Sequence, residues 1–142
     1  MLAASQAGMA FSNSSVALVH GMSRPIGAHF HVAHGLSNAM LLPKVTEFSI
    51  KGNEERYATC ARVMKWAAAY DNDDVACSKL IENLFILNED LKVPSPRNLG
   101  HSADYDLLKL MASQALASGS PQNNPRIPTD SQIIQLYQEV WD

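Results

Sequence analysis

The sequence predicts an all-α protein, and three observations carry that prediction. Apolar residues recur at spacings of three and four, and Asn, Asp, Ser or Thr stands where several such stretches begin. No strand-rich region, glycine-rich phosphate loop or internal repeat interrupts them. The periodic stretches amount to about six helices. With 142 residues, 46% hydrophobic and 18% charged, the chain suits one domain with a real core rather than a disordered segment. The formal charge is −3 and no run of Lys and Arg occurs, which argues against nucleic acid or an anionic membrane as partner. Cys60 and Cys77 lie seventeen residues apart without CxxC spacing, so no disulfide framework is expected and the cytoplasm is the default compartment.

The elements are read in order. Residues 1–23 carry no charged side chain and read as one helix buried on nearly all sides, because a helix without a polar face belongs inside a domain. Too many polar residues dilute it for a membrane span or a signal peptide. Pro25 and Gly27 should end this helix near Ser23 and leave residues 28–33 as an ordered loop. Gly35 to Leu42 resumes a helix that Pro43 interrupts or kinks. Asn53 caps a helix over residues 54–70 with Tyr57, Cys60, Ala61, Met64, Ala67 and Ala68 inward. Asp71 or Asn72 caps the next, with Val75, Leu80, Ile81, Leu84, Phe85 and Leu91 as its apolar side, and Val93-Pro94-Ser95-Pro96 ends it. Asp104 to Ala117 forms a helix on Leu107, Leu108, Met111 and Ala115, which Gly119 closes. Thr129 and Gln132 fit a capping box for a last helix with Ile133, Ile134, Tyr137, Val140 and Trp141 inward.

Four of the five histidines, His20, His29, His31 and His34, fall within fifteen residues. Imidazole is the commonest protein ligand for a transition metal, and histidines on two helices can converge on one ion. A lone histidine is more often a satisfied structural residue, which is the reading for His101 and the favoured one for His29 and His31. His20 interrupts an otherwise buried helix and needs partners for its ring nitrogens. His34 stands at a helix start after a turn, so His20 and His34 are the candidate metal pair. A catalytic site wants three or more protein ligands, yet Glu47 is the only acid before residue 50. Further ligands must come from far along the chain or from another polypeptide.

The stretch VALVHGMSRPIGAHFHVAHGLSNAMLLP, residues 16–43, resembles a signature of the iron-containing (group III) alcohol dehydrogenases, and SGSPQNNPRIPT, residues 118–129, continues the likeness. The resemblance implies the helical C-terminal domain of a dehydroquinate synthase-like, iron-dependent alcohol dehydrogenase fold. Residues 1–142 would then be a single helical metal-binding domain truncated on its N-terminal side. In that family one Asp and three His hold a divalent metal, and His20 and His34 match two of the histidines. The remaining Asp and His belong to an earlier D-x3-H helix absent here, as is the α/β domain that binds the cofactor.

What the resemblance implies in function is hydride transfer between an alcohol and NAD or NADP, assisted by Fe²⁺ or by Zn²⁺ in its place. His20, His34 and Arg24 are the implied catalytic positions, and His31 and Arg24 the implied cofactor-facing ones. Arg24 stands where many members have a histidine, near the nicotinamide end of the cleft, and Ala33 replaces a proline usual before the second ligand. The implied partners are a small alcohol or aldehyde and the missing N-terminal domain or a partner chain, with a homo-oligomer among the allowed assemblies. A competing reading from another class is an inactive helical fragment or interaction module that needs a separate cofactor-binding chain.

Overall fold

The computed structural model describes residues 1–141. These residues form seven α-helices: α1 Leu2–Ser14, α2 Leu18–Phe30, α3 His34–Ile50, α4 Glu54–Val63, α5 Asp73–Asp90, α6 Tyr105–Ala117 and α7 Asp130–Trp141. Short 3-10 turns lie at Arg97–Leu99 and Ser120–Asn123. No strand occurs among the described residues, as the periodicity requires.

The main core lies between α2, α3, α6 and α7. Leu18, Met22, Ile26, Leu41, Met111, Ile133 and Tyr137 are fully buried there, and such burial contributes roughly 1.5–3 kcal/mol for each large side chain. Tyr137 is tied to α2 by its hydroxyl, which donates to the Met22 carbonyl at 2.7 Å. Burial pushes this phenol far above its ordinary pKa. A smaller core joins α4 to α5 through Ala58, Ala61, Ala76, Cys77, Leu80 and Leu84. The inward residues expected of α7 and α6 are placed as their spacing requires. In α4, however, Cys60 faces outward, as does Met64 just past its end, and in α5 so do Val75 and Phe85, with Leu91 just past its end.

Helix starts follow the local chemistry. The Asn72 side chain accepts from Val75 N at 2.9 Å, and that of Asp104 accepts from Leu107 N at 2.8 Å. Thr129 and Gln132 form the reciprocal capping box, with Gln132 Oε1 accepting from Thr129 N at 2.9 Å and Thr129 Oγ1 accepting from Gln132 N at 3.3 Å.

Four expectations are corrected. Residues 1–23 are not one buried helix. Ser15 takes a positive φ of 66° and splits them, and no residue of α1 is buried. Asn123 braces the break, donating from Nδ2 to Ser15 Oγ and to the Val16 carbonyl. Next, α2 does not stop near Ser23 but runs through Pro25 and Gly27 to Phe30, so residues 28–30 are helical rather than loop. Met22, Pro25 and Ile26 are all buried, and that packing outweighs the local cost of proline.

Third, α3 begins at His34 and passes Pro43 without ending. Proline at position 43 cannot bond the carbonyl of Ala39, one turn back. Asn88 of α5 replaces the lost donor, its Nδ2 reaching Ala39 O at 2.8 Å. Fourth, α4 ends at Val63, not at residue 70. Lys65 adopts φ 62°, and Lys65 N and Trp66 N bond back to Arg62 O and Ala61 O, each at 3.0 Å. That is a Schellman stop built on lysine instead of the usual glycine. Lys92 ends α5 in the same way, with φ 54°.

Two substitutions test these joints. A Cβ on Gly52, just after α3, would sit 2.4 Å from Pro125 C and O. Gly52→Ala should cost at least about 2 kcal/mol, read as a lower denaturation midpoint. Asn88→Ala strands the Ala39 carbonyl and should cost about 1–3 kcal/mol. Restoring the backbone donor with Pro43→Ala in the same chain should recover part of that loss in the same measurement.

Candidate metal centre

Only residues 31–33 separate α2 from α3, so a simple antiparallel pairing of the two helices would set His34 beside the end of α2. The chain does otherwise. His31 turns left-handed at φ 56°, and its N–H caps Gly27 O. Residues 31–33 then run back over α2, so that a Cβ on Gly27 would meet Val32 O at 3.4 Å. A left-handed residue followed by a short non-helical link spans at most roughly 10 Å, enough to carry the start of α3 back along several residues of α2. His34 thereby meets His20, not His29, and their ring centroids lie 5.2 Å apart at an interplanar angle of 53°.

This geometry fits a shared cation. With metal–nitrogen bonds of about 2.1 Å, two imidazoles on one tetrahedral ion place their ring centroids about 5 Å apart. His20 is half-buried and His34 exposed. Burial, followed by the neighbouring His34 and Arg24, holds the His20 pKa below its ordinary value, which favours the neutral ring that a metal requires. The pair is incomplete. Among the described residues, no group of three or more His, Cys, Asp or Glu comes together to hold an ion.

Arg24 lies one turn beyond His20 and is exposed, with Nη1 donating to Ser120 Oγ at 3.2 Å. Gly21 permits this link, because its bare Cα lets the Pro121 ring approach to where a Cβ would stand 3.0 Å from it. The other histidines are elsewhere. His29 Nε2 pairs with Gln114 Oε1 at 2.9 Å, His31 is an exposed turn residue, and His101 packs on Phe30 at 5.0 Å between centroids.

Beside the pair runs a groove of about 610 Å³ along α3, with His20 and Asn38 in its wall along with Leu42, Val45, Ser49 and Tyr57. Asn38 was not singled out by the sequence reading. Its Nδ2 lies 3.1 Å from His34 Nε2, and the only available signal was its position one turn after that histidine.

Comparison with known proteins decides the family. The profile described as "Fe-containing alcohol dehydrogenase family, C-terminal" matches residues 1–141. The chain belongs to the Fe-containing alcohol dehydrogenase family. Within that family it is 35% identical over 139 residues to lactaldehyde reductase of Escherichia coli K12, covering 95% of this chain and 35% of that enzyme. It is 31% identical over 137 residues to 1,3-propanediol dehydrogenase of Klebsiella pneumoniae, with the same coverage. Among solved structures, a 1,3-propanediol oxidoreductase superposes with a TM-score of 0.87 at 30% identity, over 94% of this chain and 35% of the other. An alcohol dehydrogenase from Oenococcus oeni gives 0.86 at 33% identity, with the same coverage. The iron-dependent dehydrogenase fold inferred from residues 16–43 is thus the one the chain adopts, as that fold's C-terminal helical part. It spans about a third of the length of the relatives it matches.

Proposed function

We propose that this chain supplies the metal-binding helical part of an NAD(P)-dependent alcohol dehydrogenase that interconverts a small alcohol and its aldehyde or ketone. The observation that carries the reading is the convergence of His20 and His34, from two helices, to a centroid spacing of 5.2 Å that suits one divalent ion. When bound, Fe²⁺ or Zn²⁺ supplies Lewis-acid polarisation of the substrate oxygen, while the nicotinamide exchanges the hydride.

The chain's own residues hold and orient. Neutral His20 and His34 each offer one ring nitrogen, and the doubled-back link 31–33 fixes their separation. Arg24, anchored by Ser120, brings a permanent positive charge one turn from His20 and favours a cofactor or substrate group of negative charge. His31 at the nearby turn is the weaker cofactor-facing candidate. The remaining ligands and the pyrophosphate loop come from a cofactor-binding domain or partner chain, and residues 1–142 act as one metal-binding domain beside it. Cys60 and Cys77 are free thiols, which fits the proposed cytoplasmic setting. No helix among the described residues is long and apolar enough to cross a membrane.

A second reading has its own observation. Among the described residues the site has no third ligand, and Met1, Leu2, Met9 and Phe11 of the N-terminal segment are exposed. Alone, the polypeptide then serves as an interaction module that completes a partner and has no dehydrogenase activity by itself.

Cobalt(II) titration of the metal-free 142-residue chain separates these ideas. Weak binding of one ion, abolished by His20→Ala and by His34→Ala, is expected. Tight stoichiometric binding would contradict the two-ligand geometry, and binding indifferent to both substitutions would remove the metal assignment. For Arg24, the chain joined to a cofactor-binding portion should lose about tenfold in kcat/KM for carboxylate-bearing alcohols on Arg24→His, with neutral alcohols little changed. Equal effects on both substrate classes would exclude the charge role.

A further inference from the structure

We infer that Asn38 is the positioning residue that sets the tautomer of His34, keeping Nε2 unprotonated and available to a cation. The inference rests on the metal-site reading above but concerns the metal-free chain. Asn38 follows His34 by one turn of α3, and the two side chains meet with Asn38 Nδ2 3.1 Å from His34 Nε2. A neutral imidazole has one N–H donor and one acceptor nitrogen. An amide NH₂ only donates, so Nε2 must be the acceptor and the ring proton must sit on Nδ1. His34 is exposed, so solvent can satisfy that Nδ1–H.

The opposite arrangement would turn the amide over, set Oδ1 against an Nε2–H, and leave no lone pair on Nε2 for a metal. The burial of the amide argues against it. Asn38 Oδ1 is buried and has no hydrogen-bond partner. In the reversed amide, the NH₂ would occupy that pocket with two donors unmet. An under-satisfied carbonyl oxygen is tolerated more often than an orphaned N–H. The amide is therefore oriented by the only bond it makes there, the one to His34.

The consequence is preorganisation at a site with few ligands. A free histidine in water carries its proton mainly on Nε2, so a histidine meant to bind through Nε2 must be held in the minor form. Asn38 does this from the helix that also carries His34, before any third ligand arrives. Asn38 also shares the groove wall with His20. A cation bound at Nε2 would take the place of this hydrogen bond, so Nε2 has to be unprotonated beforehand.

The test is long-range ¹H–¹⁵N correlation of the metal-free chain labelled in histidine, at a pH where the imidazoles are neutral. The wild-type spectrum should show His34 with a pyridine-like Nε2 and a pyrrole-like Nδ1. Asn38→Ala should return His34 toward the Nε2–H form of the free side chain. Asn38→Asp is nearly isosteric and only accepts, so it should drive His34 fully to Nε2–H; it also serves if the alanine variant fails to fold. His29 is held by Gln114 and should keep its tautomer in both variants. A wild-type His34 protonated on Nε2, or a tautomer unmoved by both substitutions, would overturn the inference. The cobalt titration tests the metal reading separately, so either can fail without the other.

Discussion

Everything at the candidate centre depends on one reversal of the chain. If α2 and α3 formed a simple antiparallel pair, the start of α3 would face the end of α2, and His34 would neighbour His29 or Phe30. Instead the left-handed residue His31 starts a short extended return over Gly27. Val32 lies close against the helix there, its carbonyl oxygen 3.4 Å from where a Cβ on Gly27 would stand. The return moves His34 back toward the middle of α2, where His20 waits. The same reversal brings the start of α3 against the body of α2, and the 120–123 turn reaches that helix through Gly21.

Proline has an unusual part in both helices. In isolation, Pro25 and Pro43 are stop signals, each removing a backbone donor and crowding the preceding turn. Here each sits inside a continuous helix and is buried. For Pro43 the compensation is visible, since a side chain from α5 takes the place of the missing amide. That contact also joins the α4–α5 hairpin to the main core, so one hydrogen bond repairs α3 and docks a second unit.

What could be read from the sequence follows from how local its cause is. The caps at Asn53 and Thr129, and the inward face Ile133, Ile134, Tyr137, Val140 and Trp141, are settled by residues within a turn of each other, and the structure places them as read; of the two cap candidates Asp71 and Asn72 it uses Asn72, and Asp104, read as the first helical residue, is the cap of α6. The end of α4 was illegible because Lys65 fills a position where glycine is the signal, whereas the prolines after Val93 marked the end of α5 although Lys92 makes the turn itself. The passage of α3 through Pro43 rests on Asn88, forty-five residues away, and that of α2 through Pro25 on tertiary burial. At the site, the types and clustering of His20 and His34 were enough to nominate the pair. Arg24 was nominated by resemblance, but its anchor Ser120 lies 96 residues away. Asn38 was within reach at four residues from His34, yet asparagine in mid-helix attracts no notice until its partner is seen.

The first helix has a thermodynamic status different from the other six. None of its residues is buried. Ser5, Ser12, Asn13 and Ser14 bond to carbonyls four residues back, within α1 or at its N-cap. Thirteen residues with so little tertiary support, Phe11 at the groove edge being the main contact, are near the length at which helices in water are only marginally stable. Its helix–coil balance is therefore that of a tethered peptide, and a surface covering Met9 and Phe11 would order it at small conformational cost.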